Sequence, residues 1–287
     1  MIKEFKIQQF LKYFNIEGGK SDIIHITKYS EHHNLRLSSE AILIDFYFLA
    51  LKTDFESVED FGKTEFDNSR NSFAYFDIPE TLVEWNVKKP WKGYHILINK
   101  KVFKDYAKTY NFSGYDRHEA LFLKQEEEDL LADIFNKAYS EYLKANFSEE
   151  ILLSYSKLIL SYIHSFYKRQ FETRQEIYNK IVSEFKAHLE IYFNDKKENY
   201  ELPTVSYFAE KAHLSANYFG DVIKHFTGRP PVEHIHDHII RLAKIKLTEP
   251  NANISEVGYS LGFDYPTYFT RFFKKKTGFT PSKFRKK

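Results

Sequence analysis

From Arg271 to the last residue the chain carries Arg271, Lys274, Lys275, Lys276, Lys283, Arg285, Lys286 and Lys287, with no acidic residue among them. Such a run suits a surface that faces phosphate, although its last few residues read equally well as a basic tail. Arg271 can do more than neutralise charge. A guanidinium grips O6 and N7 of guanine with two hydrogen bonds, worth about 1–3 kcal/mol of discrimination against other bases. Thr267 and Lys274 share an outward helix face with Arg271, which makes Arg271 a candidate for base contact and Lys274 and Lys275 candidates for phosphate contact. A matching set lies fifty positions earlier: Asn217 and Asp221 for bases, Lys224 and His225 for phosphates. Asp221 repels phosphate, but a carboxylate can accept a hydrogen bond from cytosine N4. Lys224, Lys274 and Lys275 also read as plain solubilising charges.

The elements that position these side chains are written twice. Residues 215–231 read SANYFGDVIKHFTGRPP and residues 265–281 read YPTYFTRFFKKKTGFTP, so Tyr218, Phe219, Lys224, Thr227, Gly228 and Pro231 match Tyr268, Phe269, Lys274, Thr277, Gly278 and Pro281. This is an internal repeat. In the first copy Thr204 caps a short helix striped by Val205, Phe208, Ala209 and Ala212, and Ser215 caps a second striped by Phe219, Val222, Ile223 and Phe226. In the second, Asn253 and Glu256 resemble a capping box, and Ile254, Val257 and Leu261 line the short helix. Gly258 permits close helix approach, Pro266 fits a first turn, and Phe269, Phe272 and Phe273 point inward. The spacing predicts helix-turn-helix units at about 204–227 and 254–277, joined by a linker helix over about 232–247 with Ile235, Ile239 and Leu242 on one face. At 1.5 Å per residue that linker is about 24 Å long, and successive major-groove faces are about 34 Å apart.

A chain of 287 residues is long enough for two domains. Its charge is uneven: residues 201–287 hold 14 Lys+Arg against 8 Asp+Glu, or +6, while residues 1–200 hold 28 against 32, or −4. There is no cysteine, so neither a disulfide framework nor a thiolate metal site can form. The start, MIKEFKIQQF, lacks the apolar core of a signal peptide, and the most apolar run, 42–51, is about half a membrane span and contains Asp45. A cytoplasmic protein without a membrane partner follows. Between residues 22 and 99, the segments 23–29, 41–51, 72–78 and 94–98 read as strands, punctuated by Gly18-Gly19, Asp67-Asn68-Ser69, Pro79 and Pro90. After Gly114 the pattern turns helical. A hairpin is expected at about 126–168, with Leu130, Ile134, Ala138 and Tyr142 on its first helix, Ser148 capping its second, and Ile151, Tyr155, Leu158, Ile159, Tyr162 and Phe166 on the second face. The polar stretch 168–176 reads as a joint or as helix, which places domains at 1–171 and 172–287.

Residues from about 176 to 287 resemble the DNA-binding domain of the AraC/XylS family of bacterial transcription regulators, most specifically in ISEVGYSLGFDYPTYFTRFFKKKTGFTPSKFR at 254–285. The resemblance implies recognition positions at Asn217, Asp221, Thr267 and Arg271. It also implies an α+β fold: a β-rich, cupin-like sensor and dimerisation domain with a helical hairpin, then an all-α domain of two helix-turn-helix motifs. The implied partners are promoter DNA, a second copy of the chain, a small-molecule effector and RNA polymerase. Trp85, Trp91, Tyr94 and His95 are candidates to line an effector pocket, or are simply core. An enzymatic barrel tethered to DNA and a constitutive binder with a purely dimerising N-terminal half are the alternatives. No metal or cofactor is expected: His32 and His33 face opposite ways on a strand, and His234 and His238 lie one turn apart with no evident third ligand. Asp45, Glu56, Glu59 and Asp60 form no evident acid/base pair.

Overall fold

Apolar residues run unbroken through 46–51 because a strand covered on both faces has no polar side to show. The structure, a computed structural model, describes all residues except 1–2, 57–60, 68–70, 111, 113–114, 116, 195–200, 250–251 and 286–287. Glu59, Asp60, Asn68, Ser69, Gly114, Lys286 and Lys287 therefore lie outside the described residues. The chain divides into two units, Met1–Arg174 and Gln175–Lys287.

In the first unit, β1 (Glu4–Phe5) and α1 (Ile7–Tyr13) precede β2 (Ile24–Lys28), β3 (Ser38–Ile44), β4 (Phe46–Thr53), β5 (Phe73–Asp77), β6 (Leu82–Asn86) and β7 (Lys92–Asn99). There follow α2 (Lys100–Ala107), β8 (Leu121–Phe122), α3 (Gln125–Leu143) and α4 (Glu149–Thr173). The strands form a three-stranded sheet, β1-β3-β6, and a five-stranded sheet, β2-β7-β4-β5-β8. The run expected as one strand over 41–51 is two strands in different sheets. The chain crosses between them at Asp45, which is ion-paired with Lys100. Strand β6 and helices α1 and α2 were not anticipated.

Register fixes the faces of the large sheet. His95 lies opposite both Thr27 and Ala50, and Ala50 opposite Tyr75, so these four side chains share the inner face with Phe46, Phe48, Lys52 and Leu97. Ile42 and Ile44 of β3 and Phe10 and Leu11 of α1 bury in the same core. Tyr94, Ile96 and Ile98 face the other way, toward α3, where Tyr94 stacks on Phe135 at 5.6 Å. The α3–α4 hairpin is tied by Arg169, whose guanidinium donates to both carboxylate oxygens of Glu127 at 3.0 and 2.6 Å. Ser148 caps α4, accepting from the Ile151 N–H at 3.3 Å. Its packed face is not the one expected: Leu152, Ile159, Leu160, Ile163, Tyr167 and Phe171 are buried, whereas Ile151 and Leu158 are 45% and 43% exposed. A 25-residue helix with apolar side chains on two faces shows in sequence only that it is apolar. The stretch 168–176 is helical on both sides of Arg174. That guanidinium is buried against Asp67, with Nη2 2.7 Å from one carboxylate oxygen and 3.1 Å from the Gly62 carbonyl.

The second unit is all helix: α5 (Gln175–Asn194), α6 (Val205–Lys211), α7 (Ala216–Thr227), α8 (Pro231–Thr248), α9 (Ile254–Ser260), α10 (Pro266–Thr277) and α11 (Pro281–Phe284). One core gathers Phe185 and Leu189 of α5, Phe208 of α6, Phe219 and Ile223 of α7, Val257 of α9 and Phe269 and Phe273 of α10 around Ile235, Ile239, Ala243 and Leu247 of α8. Helix α8 buries more than the one face expected, Ile240 and His238 included, because elements of both repeats pack on it. His238 is accordingly no surface group: its Nδ1 lies 3.5 Å from Glu190 and 3.2 Å from Arg241. His234 is within 2.9 Å of the Thr227 hydroxyl.

Packing here turns on Gly258, where a Cβ would lie 3.1 Å from the Cβ of Phe269 on the next helix. At Gly220, inside α7, a Cβ would meet nothing within 4 Å. Chemical denaturation should therefore separate two identical changes. Gly258→Ala is expected to destabilise by about 1–3 kcal/mol by wedging α9 from α10, and Gly220→Ala to stabilise by about 0.5–1 kcal/mol through chain entropy. Equal effects of one sign would contradict this packing.

Burial of His25 makes the stability of the first unit depend on pH. Burial lowers the pKa of His25 to about 3, helped by the charges of His32 and Lys20, while its ring contacts Tyr142 Oη at 2.7 Å and Thr27 Oγ1 at 3.0 Å. A histidine held neutral gives stability that is complete above its ordinary pKa near 6.5 and is lost as pH falls from there toward 3. His25→Gln should cost stability at pH 7.5, and the difference from wild type should narrow below pH 6.5 by up to about 1.4 kcal/mol per pH unit. Denaturation midpoints at several pH values read this, and a constant difference would refute the neutral ring.

Candidate nucleic-acid interface and internal cavity

The two repeats build the same object with the same devices. Thr204 and Ser215 cap α6 and α7 by accepting the N–H of Tyr207 and of Tyr218, each at 3.2 Å. Asn253 caps α9 through the Ser255 N–H at 2.9 Å. The turns close alike, Leu214 N–H to Ala209 carbonyl at 3.0 Å and Phe263 N–H to Gly258 carbonyl at 3.1 Å, and each contains one left-handed residue, His213 or Gly262. The second turn is one residue longer: Phe263 and Asp264 separate Gly262 from the N-cap Tyr265, where Leu214 alone separates His213 from Ser215. The paired Thr-Gly steps also have one role. Thr227 and Thr277 donate to the carbonyls of Ile223 and Phe273 at 2.7 and 2.8 Å, and Gly228 and Gly278 end their helices at φ 75° and 80°.

With Phe219, Val222 and Ile223 buried on α7, the residues left outward are Asn217, Lys224 and His225, all exposed, and Asp221, half-buried. On α10, with Phe269 and Phe273 buried, Thr267, Arg271, Lys274 and Lys275 are exposed together. Lys274, Lys275 and Lys276 also sit in the last turn, where cations complement the helix dipole. Tyrosines distinguish the two faces. Tyr218 is 1% exposed, its hydroxyl bonded to that of Tyr178 on α5, whereas its counterpart Tyr268 is 54% exposed and packs edge-on against Tyr265 at 5.4 Å. Tyr268 lines a shallow depression with Arg271, Lys275, Asp264 and Phe272. Its i, i+3, i+7 relation to Arg271 and Lys275 marks it as a member of that face.

The first unit encloses a cavity of about 550 Å³ against the inner face of its large sheet. Trp85 and Trp91 line it. Tyr94 does not: on a strand, neighbours point to opposite faces, and Tyr94 takes the face covered by α3. His95 is on the inner face, fully buried, its ring 5.1 Å from Phe48 and 5.2 Å from Tyr29, both of which line the cavity. Burial lowers its pKa well below the ordinary value, and neither ring nitrogen has a hydrogen-bond partner. Lys52, not singled out in sequence, reaches the cavity wall although only 3% exposed. It donates to Tyr29 Oη at 2.7 Å and lies 4.0 and 4.4 Å from the ring centroids of Tyr29 and Trp91. A lysine at the end of an otherwise apolar strand was the available signal. Among the described residues no three His, Asp or Glu side chains cluster to hold a metal ion, and no helix is long and apolar enough to cross a membrane.

Residues 208–287 match the family described as a helix-turn-helix domain. An uncharacterized HTH-type transcriptional regulator of Bacillus subtilis (strain 168), YobQ, is 35% identical over 86 residues, 30% of this chain and 36% of that one. The arabinose operon regulatory protein of Escherichia coli (strain K12) is 27% identical over 207 residues, 70% of this chain and 63% of that one. The chain thus spans about a third of the first relative's length and just under two thirds of the second's. Among solved structures, the C-terminal domain of AraT, a response regulator from Geobacillus stearothermophilus, is similar over 37% of this chain and 84% of its own, at 24% identity and a TM-score of 0.33. The C-terminal part of this chain, over residues 208–287, is a helix-turn-helix domain of the AraC type.

Proposed function

We propose that the chain regulates transcription in the cytoplasm: it binds double-stranded promoter DNA through α7 and α10, as a homodimer, under the control of a small molecule held in the cavity of the first unit. The duplicated helix-turn-helix carries this reading, since two exposed polar helix faces stand on one shared core. Asn217, Asp221, Thr267 and Arg271 contact bases; Lys224, His225, Lys274 and Lys275 contact phosphates. The 18 residues of α8 span about 27 Å, comparable with the distance of about 34 Å between successive major-groove faces. RNA polymerase is the further partner of a protein so placed on a promoter.

Homodimer formation is supported by the unpacked stripe of α4, in which Ile151 and Leu158 are exposed and Tyr155, Tyr162 and Phe166 half-buried at helical spacing. An exposed apolar stripe of this kind is covered when a second copy meets it. The cavity favours effector control over a first unit that only dimerises, and its ring-lined wall favours binding over turnover.

Gel-shift titrations over a salt series test the DNA contacts. On a duplex selected by the wild-type protein, Arg271→Ala should weaken binding by about 1–3 kcal/mol and relax preference at one base pair. Lys275→Ala should weaken all sequences alike and lower the salt slope by about one. Equal weakening of selected and scrambled duplexes by Arg271→Ala would remove its base-reading role. In the same gels Leu158→Glu should shift the complex to the mobility of a single bound chain; unchanged mobility would exclude α4 as the dimer contact.

A further inference from the structure

We infer that the second recognition helix reads a methyl group: Tyr268, with Leu202 and Phe272, holds the 5-methyl of a thymine in the base pair next to the one that Arg271 reads. The inference rests on the DNA reading above and adds to it the identity of one more base. In the first repeat the counterpart, Tyr218, is 1% exposed and bonded to Tyr178, whereas Tyr268 is 54% exposed on a face otherwise made of Thr267, Arg271, Lys274 and Lys275. A ring left in water on a polar face gains free energy when an apolar group covers it. Among the groups that base pairs present in the major groove, only the thymine methyl is apolar.

The ring does not stand alone. Tyr268 lines a depression of about 290 Å³ together with Leu202, Phe263 and Phe272, and with the charged groups of Arg271, Lys275 and Asp264. Leu202 reaches it from the segment leading into α6, which passes so close to the turn between α9 and α10 that a Cβ at Gly262 would lie 2.8 Å from the Leu202 nitrogen. The carboxylate of Asp264 offsets the ammonium of Lys275 there, which leaves apolar contact as the selective element. In the first repeat Tyr218 and Val222, the counterparts of Tyr268 and Phe272, are both buried, so α7 offers no such surface. Tyr268 and Arg271 are three residues apart, or about 4.5 Å along the helix axis. Successive base pairs are about 3.4 Å apart, so the two side chains meet neighbouring pairs.

Gel-shift titration of the full chain tests this on a duplex selected by the wild-type protein, with each thymine replaced in turn by uracil, which removes the methyl and nothing else. One replacement, next to the base pair whose preference Arg271→Ala relaxes, should weaken wild-type binding about three- to fivefold, the loss expected for one covered methyl. Tyr268→Ala should bind that thymine duplex and its uracil form alike, and Tyr268→Phe, which keeps the ring, should retain the difference. If no replacement weakens wild-type binding, or if every penalty persists in Tyr268→Ala, the inference is overturned. Equal weakening of both duplexes by Tyr268→Phe and Tyr268→Ala, with the uracil penalty intact, would place the hydroxyl on a phosphate and overturn it too. The scan keeps the two readings apart. A penalty that Tyr268→Ala removes, with no preference relaxed by Arg271→Ala, would support the methyl contact and sink only the base-reading role of Arg271.

Discussion

A two-turn helix with one apolar stripe cannot bury that stripe by itself, and neither can a pair of such helices joined by a tight turn. In this chain the missing surface comes from α8, whose Ile235, Ile239, Ala243 and Leu247 serve both repeats at once. Because the two repeats share that spine, neither can turn without disturbing the other's core. The outward faces of α7 and α10 are therefore held in one fixed relation, as reading two stretches of one duplex requires. Phe269 and Phe273, both fully buried, tie Arg271 to this frame from the opposite side of α10.

The first unit obeys a different constraint. Strand β4 is covered on one face by α2 and the α3 side of the sheet and on the other by the aromatic core, so nothing polar belongs there except where a specific contact holds it. Lys52 is such an exception on β4, donating to Tyr29 at the cavity wall; His95, on the neighbouring β7, lies behind Tyr29 and Phe48 with neither ring nitrogen hydrogen-bonded. Buried polar groups on an inner face built for apolar packing are costly.

Sequence alone was sufficient for the second unit because its signals are local. Caps at Thr204, Ser215 and Asn253, the Thr-Gly steps and the apolar stripes are each read within a few residues. What escaped it there was long-range: Tyr218 and Tyr268 occupy equivalent positions, yet only the first is covered, by α5. In the first unit the failures have the same origin. The passage between sheets at Asp45 is invisible in a run that is apolar on both sides, and β6, with Leu82, Glu84 and Asn86 exposed, shows little of a buried strand. On α4 two apolar faces compete, and only packing against α3 and the sheet decides which is inside. Of the residues named from sequence for a pocket, Trp85 and Trp91 line the cavity, whereas strand alternation turns Tyr94 to the other face of the sheet; Lys52 carried no local signal beyond its place at the end of an apolar strand.

The absence of cysteine permits a direct measurement of whether both helices enter DNA. A single cysteine introduced as Asn217→Cys or as Thr267→Cys can carry an iron chelate that cleaves the nearest sugar. Two recognition helices fixed on one spine predict two cleavage centres, one from each variant, about one helical turn apart on the same face of the duplex. Coincident centres, or cleavage from position 267 with none from 217, would contradict a paired reading head.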